Sequence, residues 1–183
     1  MSENPKIRQV ENGTKISWDR WLKLLENYKY INHTDLAIEA LRIINEEGNS
    51  DNPEWWAQSV AVTYEQEAGI RIVGQRCDGY FSTSTSKTLI GDMDSTLEHW
   101  VNYVVDTRES KGISAEDSPR ISKSEKWRYW KINLSDGSML NVNIQNKAGG
   151  EKSTLSINHD KISTEEERNS WKEYWKEFLK EIK

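Results

Sequence analysis

Ser84-Thr85-Ser86-Lys87 has the Ser-x-x-Lys spacing of a serine nucleophile served by a lysine. That chemistry needs the serine at a helix start. Here the stretch from Phe81 to Leu89 is rich in Ser and Thr and alternates weakly, so it reads as a strand. Residues three apart on a strand point to opposite faces, and the motif is expected to be strand surface. His33, His99 and His159 are far apart in sequence, and none has a second histidine or a cysteine at metal-ligand spacing. His33 precedes a helix start and His159 stands beside Asp160, so local hydrogen bonding is expected for both. Arg76 beside Cys77 would favour a thiolate, but a reactive thiol also needs an exposed electropositive pocket, and a structural role is expected. Gly149-Gly150 lacks the Lys-Ser/Thr and helix of a phosphate loop and reads as a turn. Asp92-Met93-Asp94 lacks the length and terminal Glu of a calcium loop and reads as a helix cap. The sequence therefore predicts no catalytic set, no metal and no cofactor.

Such residues need elements to hold them, and composition bounds what those elements can be. The chain has 183 residues, enough for one domain or two small ones. Nine Trp and seven Tyr compensate for few aliphatic residues, so a small aromatic core is expected. Charged residues make up 30% of the chain, which excludes a membrane-spanning segment. No apolar N-terminal run follows a basic stretch, so no secretory signal is expected. A single cysteine, Cys77, fits a reducing cytoplasm. The net charge of −5 opposes the counterion-release binding that drives nucleic-acid affinity.

Residues 1–14 carry few apolar side chains and include Asn12-Gly13, which predicts a flexible tail. Residues 15–75 read as a helical segment. Ser17 caps a first helix with Trp18, Trp21, Leu22 and Leu25 on one face. Thr34 caps a second, with Ala37, Ile38, Leu41 and Ile44 on its stripe, and Asn52-Pro53-Glu54 opens a third that ends near Gly69. This third helix is apolar on more than one side, with Trp56, Val60 and Tyr64 in one row and Trp55 and Val62 elsewhere, so it should pack between two layers.

Residues 76–183 read as strands and helices: a strand from Gly79, a short helix carrying Leu97, Trp100 and Val104, and a short strand at Arg120-Ile121-Ser122 within the otherwise unassigned stretch 106–124. A hairpin follows, Glu125–Leu134 with Ser138–Gln145. A three-residue loop, Ser135-Asp136-Gly137, pairs Ile132 with Leu140 and Trp130 with Val142, whereas a two-residue turn would set apolar residues against amides. Leu155 and Ile157 share a face of the last strand. The chain closes with a helix capped by Ser163 with Glu166 or Thr164 with Glu167, whose apolar stripe is Trp171, Tyr174, Trp175, Phe178, Leu179 and Ile182. Antiparallel strands with a long amphipathic helix on one face make an α+β layer fold.

The run Trp55-Trp56-Ala57-Gln58-Ser59-Val60-Ala61-Val62-Thr63-Tyr64-Glu65-Gln66 followed by Gly69-Ile70-Arg71, then Gln75-Arg76, Asp78-Gly79-Tyr80-Phe81 and Ser84–Thr88, resembles bacterial START-like proteins related to the activator homologues of heat-shock-protein ATPase. The resemblance resumes at Asp136-Gly137-Ser138, Lys147–Ser153 and His159, and spans about residues 15–183. It implies a helix-grip domain, reduced in strand number here: a curved antiparallel sheet wrapped around the C-terminal helix, preceded by the N-terminal helical segment found in that group. It implies no catalytic residue.

Three functions are weighed on that basis. The first is a non-catalytic protein that binds a small apolar ligand between sheet and C-terminal helix, with Trp130, Ile132 and Val142 facing Tyr174 and Phe178, and Tyr174 as the polar handle. The second is a protein-interaction, chaperone-associated module without a ligand. The third, a cyclase- or hydrolase-like enzyme, ranks last. The partner is thus a small apolar ligand or a protein, with no nucleic acid and no membrane insertion.

Overall fold

The structure is a computed structural model and describes residues 4–105, 109–110 and 113–182. The chain divides into two compact units, residues 1–73 and 74–183, where the sequence reading places the break after residue 75.

The first unit is helical: α1 (Pro5–Thr14), α2 (Trp18–Leu25), α3 (His33–Glu47) and α4 (Pro53–Glu67). Residues 4–14 are not the flexible tail that their sparse apolar content suggests; residues 1–3 lie outside the described residues. The Asn4 side chain caps α1, Pro5 sits in its first turn, and Ile7, Val10 and Thr14 are buried. Two apolar side chains suffice because Thr14 is buried with its polar atom used: its Oγ1 donates to the Val10 carbonyl (2.8 Å) and accepts from Trp21 Nε1 (3.3 Å). Gly13 marks a close approach rather than a turn. A Cβ there would stand 2.0 Å from the Trp56 indole of α4. Gly13→Ala is therefore expected to cost about 1–3 kcal/mol through overpacking, and to cost little in a Trp56→Ala background. Urea denaturation of both pairs checks this; an equal loss in the two backgrounds would show that the indole is not the obstacle.

Ser17 caps α2 as predicted. In α3 the cap is Asn32 rather than Thr34: its side chain accepts from the Asp35 N–H at 2.9 Å. The buried stripe is Leu36, Ala37, Ala40, Ile43 and Ile44, which keeps the expected Ala37 and Ile44 inside and leaves Ile38, expected inside, 62% exposed. Helix α4 packs against both α1 and α3, burying Ala57, Val60 and Ala61, while Trp55 stays exposed.

The second unit is α+β. Its antiparallel sheet has the strand order β1-β7-β6-β5-β4, built from β1 (Phe81–Ile90), β4 (Arg120–Lys123), β5 (Arg128–Asn133), β6 (Met139–Asn146) and β7 (Lys152–Ile162). Two short strands, β2 (Glu109–Ser110) and β3 (Ile113–Ser114), pair separately. Of the stretch left unassigned by sequence, residues 106–108 and 111–112 lie outside the described residues. Helix α5 (Met93–Val105) packs on β5, β6 and β7, and helix α6 (Glu165–Glu181) on β1 and β7. Both lie where the strands point their apolar side chains.

The hairpin has the register of the three-residue loop: Trp130 pairs with Val142 and Ile132 with Leu140. Gly137 takes a φ of 83°, a conformation that strains any side chain, and its N–H donates to the Leu134 carbonyl. This register puts Trp130, Ile132, Leu140, Val142 and Ile144 on one buried face. Thr164 and Glu167 form the capping box of α6, with both reciprocal bonds at 3.1 Å. At its other end the last carbonyls of α6 are bonded by Lys87 of β1, whose Nζ donates to the carbonyls of Leu179 (2.8 Å) and Ile182 (2.7 Å). A cation there also complements the negative end of the helix dipole.

Candidate functional site

The residues predicted to line a ligand site come together in the core of the second unit. Trp130 and Ile132 reach it from β5, Val142 from β6, and Phe178 from α6, all buried; Tyr174 packs against the same cluster half-buried. The arrangement differs from two surfaces facing each other directly, because Trp100 of α5 stands between them. Its ring meets Trp130 edge-on at 5.6 Å and Phe178 at 6.1 Å. Tyr174 instead turns toward its own helix, with ring distances of 5.4 Å to Trp171 and 4.9 Å to Trp175. Trp100 is 1% exposed, and its Nε1 has no hydrogen-bond partner among the described residues. A buried N–H without an acceptor costs about 1–3 kcal/mol, so each one calls for an explanation. Sequence placed Trp100 on the apolar stripe of its helix, but nothing local could show that its N–H would be stranded among rings.

A second polar group lies beside this core. His159 of β7 is fully buried between Ser138 and α6. Its Nε2 is 2.8 Å from Ser138 Oγ, and its Nδ1 accepts from Trp175 Nε1 at 3.1 Å. Ser138 Oγ in turn donates to Asp136 Oδ1 at 2.6 Å. These three bonds fix the proton positions. The indole can only donate, so Nδ1 is the accepting nitrogen and Nε2 carries the proton toward Ser138. The serine proton points to Asp136, away from the imidazole. A nucleophilic serine needs the opposite arrangement, with the histidine accepting its proton. Asp136, Ser138 and His159 therefore form a structural link from the hairpin to α6, and the neighbour of His159 that matters is Trp175 rather than Asp160.

The first unit holds a buried carboxylate network. Glu65 of α4 is 1% exposed. It accepts from Tyr30 Oη (2.9 Å) and faces His33 Nδ1 (3.1 Å), while the Arg71 guanidinium lies 2.7 Å away. Burial, and next the bond to Glu65, push the Tyr30 phenol up to about 12. His33 Nε2 reaches Gln58 Oε1 at 2.8 Å. The expected local role of His33 is thus replaced by contacts far along the chain, which tie the segment before α3 and the segment after α4 to one carboxylate.

The remaining candidates resolve as structure or surface. Ser84 is exposed on β1, opposite in direction to Lys87, which is engaged with α6. Cys77 and His99 are exposed. Asp92 Oδ1 accepts from the Ser95 N–H (2.8 Å), the helix cap expected of it. Asp94 binds Arg128 through both oxygens (2.8 and 2.7 Å) and Lys123 (2.8 Å), and these cations, Arg128 foremost, hold its carboxyl well below the usual range. Among the described residues no group of three or more His, Cys, Asp or Glu side chains could hold a metal ion, and no helix is long and apolar enough to cross a membrane. On the first unit, an open groove of about 260 Å3 beside Trp56 is lined by Lys6, Gln9, Trp55, Ser59 and Val62. No protein-family profile, no curated protein and no solved structure matches this chain.

Proposed function

We propose that the second unit is a START-like helix-grip domain that holds a small, largely apolar ligand among its sheet, α5 and α6, and that it performs no catalysis. One observation carries the reading: the stranded Trp100 Nε1, buried at the centre of the ring cluster formed with Trp130 and Phe178. Ligand sites are mostly apolar with a few placed polar groups, and a ligand oxygen accepting from this N–H would supply the missing partner. Trp100 then takes the part of polar handle that sequence gave to Tyr174. The wiring of Ser138 and His159 argues against acyl transfer at the neighbouring polar group.

The test combines native mass spectrometry of the purified protein with nuclear magnetic resonance of the Trp100 indole, using a fatty acid, a sterol and a fused-ring aromatic ketone as probes. A bound small molecule, or a shift of the Trp100 indole resonance on adding one probe, is expected. Trp100→Phe, which keeps a ring and removes the N–H, is expected to weaken that probe about tenfold, the equivalent of one hydrogen bond. The reading is lost if no probe moves the resonance, or if Trp100→Phe binds as tightly as the parent.

The second reading, a protein-interaction module, is favoured by the run after α4, where Ile70, Ile72 and Val73 are each about half exposed or more (49%, 53% and 63%). Contiguous exposed apolar side chains are a mark of partner surfaces.

A further inference from the structure

The two edges of the five-stranded sheet are built differently. An edge strand offers a row of unpaired N–H and C=O groups to any other strand, and proteins blunt such edges with short length, charges, proline or bulges. The β4 edge is blunted in this way: it is four residues long, exposed throughout, and carries Arg120 and Lys123. The β1 edge is not. β1 is ten residues long and, among the described residues, pairs with β7 alone. Its sequence, Phe-Ser-Thr-Ser-Thr-Ser-Lys-Thr-Leu-Ile, has no proline and one charge. That charge, Lys87, is already committed to the C-terminal carbonyls of α6. The only irregularity in its pairing lies at the very start, between Phe81 and Thr83. From Thr83 onward the edge is regular, free of acidic residues and rich in β-branched residues, with Ser84, Ser86 and Thr88 exposed on the face away from α6.

We infer that β1 pairs antiparallel with β1 of a second copy of this chain, joining the two sheets into one. A second copy fits better than an unrelated strand because this edge is complementary to itself. In an antiparallel pair about a two-fold axis, the residues opposite one another have a constant sum, and side chains share a face only when that sum is even. A two-fold at Ser86 pairs Thr83 with Leu89, Ser84 with Thr88 and Thr85 with Lys87, using seven of the eight residues of the regular stretch. Lys87 then faces a threonine. One step further along, a two-fold at Lys87 would oppose two lysines and is disfavoured. The same operation on β4 would crowd the cations of Arg120 and Lys123 along one short edge. Serine and threonine hydroxyls directly opposite one another on the exposed face also bond across such a pair.

The register makes one residue decisive. Ser86 meets its own copy, with Cα atoms about 4.5–5.5 Å apart, inside the range a disulfide spans. Sedimentation equilibrium of the full chain is expected to give a particle of twice the 21.3 kDa chain mass. In a Cys77→Ser background, which removes the native thiol, Ser86→Cys is expected to form a covalent dimer under mild oxidation, and Ser84→Cys and Thr88→Cys much less of one. Ser86→Lys, on an exposed position, is expected to yield a monomer with an unchanged thermal midpoint. A monomer at all concentrations overturns the inference, including a monomer that captures an added extended peptide instead. So does a dimer that survives Ser86→Lys or that crosslinks equally at Ser84 and Ser86.

Discussion

Trp175→Ala is expected to bring the second unit close to unfolding. Trp175 is 2% exposed and stacks on Trp171 at 5.7 Å, with Phe178 edge-on at 5.3 Å. Truncating a buried tryptophan costs roughly 3–5 kcal/mol, and a domain of this kind has only about 5–15 kcal/mol in all. The indole also donates to His159 Nδ1, so the variant loses a fully buried hydrogen bond as well. Trp175→Phe separates the two effects, keeping most of the ring and removing the bond. The order of denaturation midpoints should be parent, Trp175→Phe, Trp175→Ala, each below the last. A midpoint for Trp175→Ala equal to that of the parent would show that α6 is not held by this side chain.

That result is foreseeable from sequence because helix periodicity is a local property. The stripe of α6 and its capping box involve residues three, four or seven apart, and the structure places Trp171, Trp175, Phe178 and Leu179 as that period requires. The hairpin register was legible for a related reason: a one-residue slip exposes every apolar side chain, so only one loop length is consistent with Trp130 and Val142 both being buried. Where local pattern is thin, reading failed. Helix α1 shows two apolar positions and a glycine, and what makes it a helix of the core is an indole from α4 that lies against Gly13. Lys87 looks like half of a catalytic motif until the end of α6, more than ninety residues on, arrives to accept from it. The stranded indole is a further example: Tyr174 and Trp100 are equally good polar groups on the apolar stripes of their own helices, and only packing shows that the Trp100 N–H has no partner among the described residues.

Glu65 is the clearest instance of function-like residues gathered for structure, and it sets the second large expected effect. Its partners Tyr30, His33 and Arg71 come from segments that no spacing rule connects. The Glu65 and Arg71 side chains are only 1% and 9% exposed, so neither charge has much water to fall back on. Removing one member of a buried ion pair strands the other and costs about 3–5 kcal/mol, whereas replacing both by apolar groups of similar volume is often nearly neutral. Glu65→Ala is therefore expected to unfold the first unit or leave it marginal, with amides of residues 28–33 and 69–71 losing protection from hydrogen exchange first. Glu65→Leu combined with Arg71→Met is expected to recover most of that stability, because no charge then remains buried alone. If the network were instead the working part of a site, Glu65→Ala would leave the denaturation midpoint close to that of the parent, and the loss would appear in a bound ligand. A double variant as unstable as the single one would mean that the hydrogen bonds to Tyr30 and His33, not the ion pair, fasten the ends of α3 and α4 together.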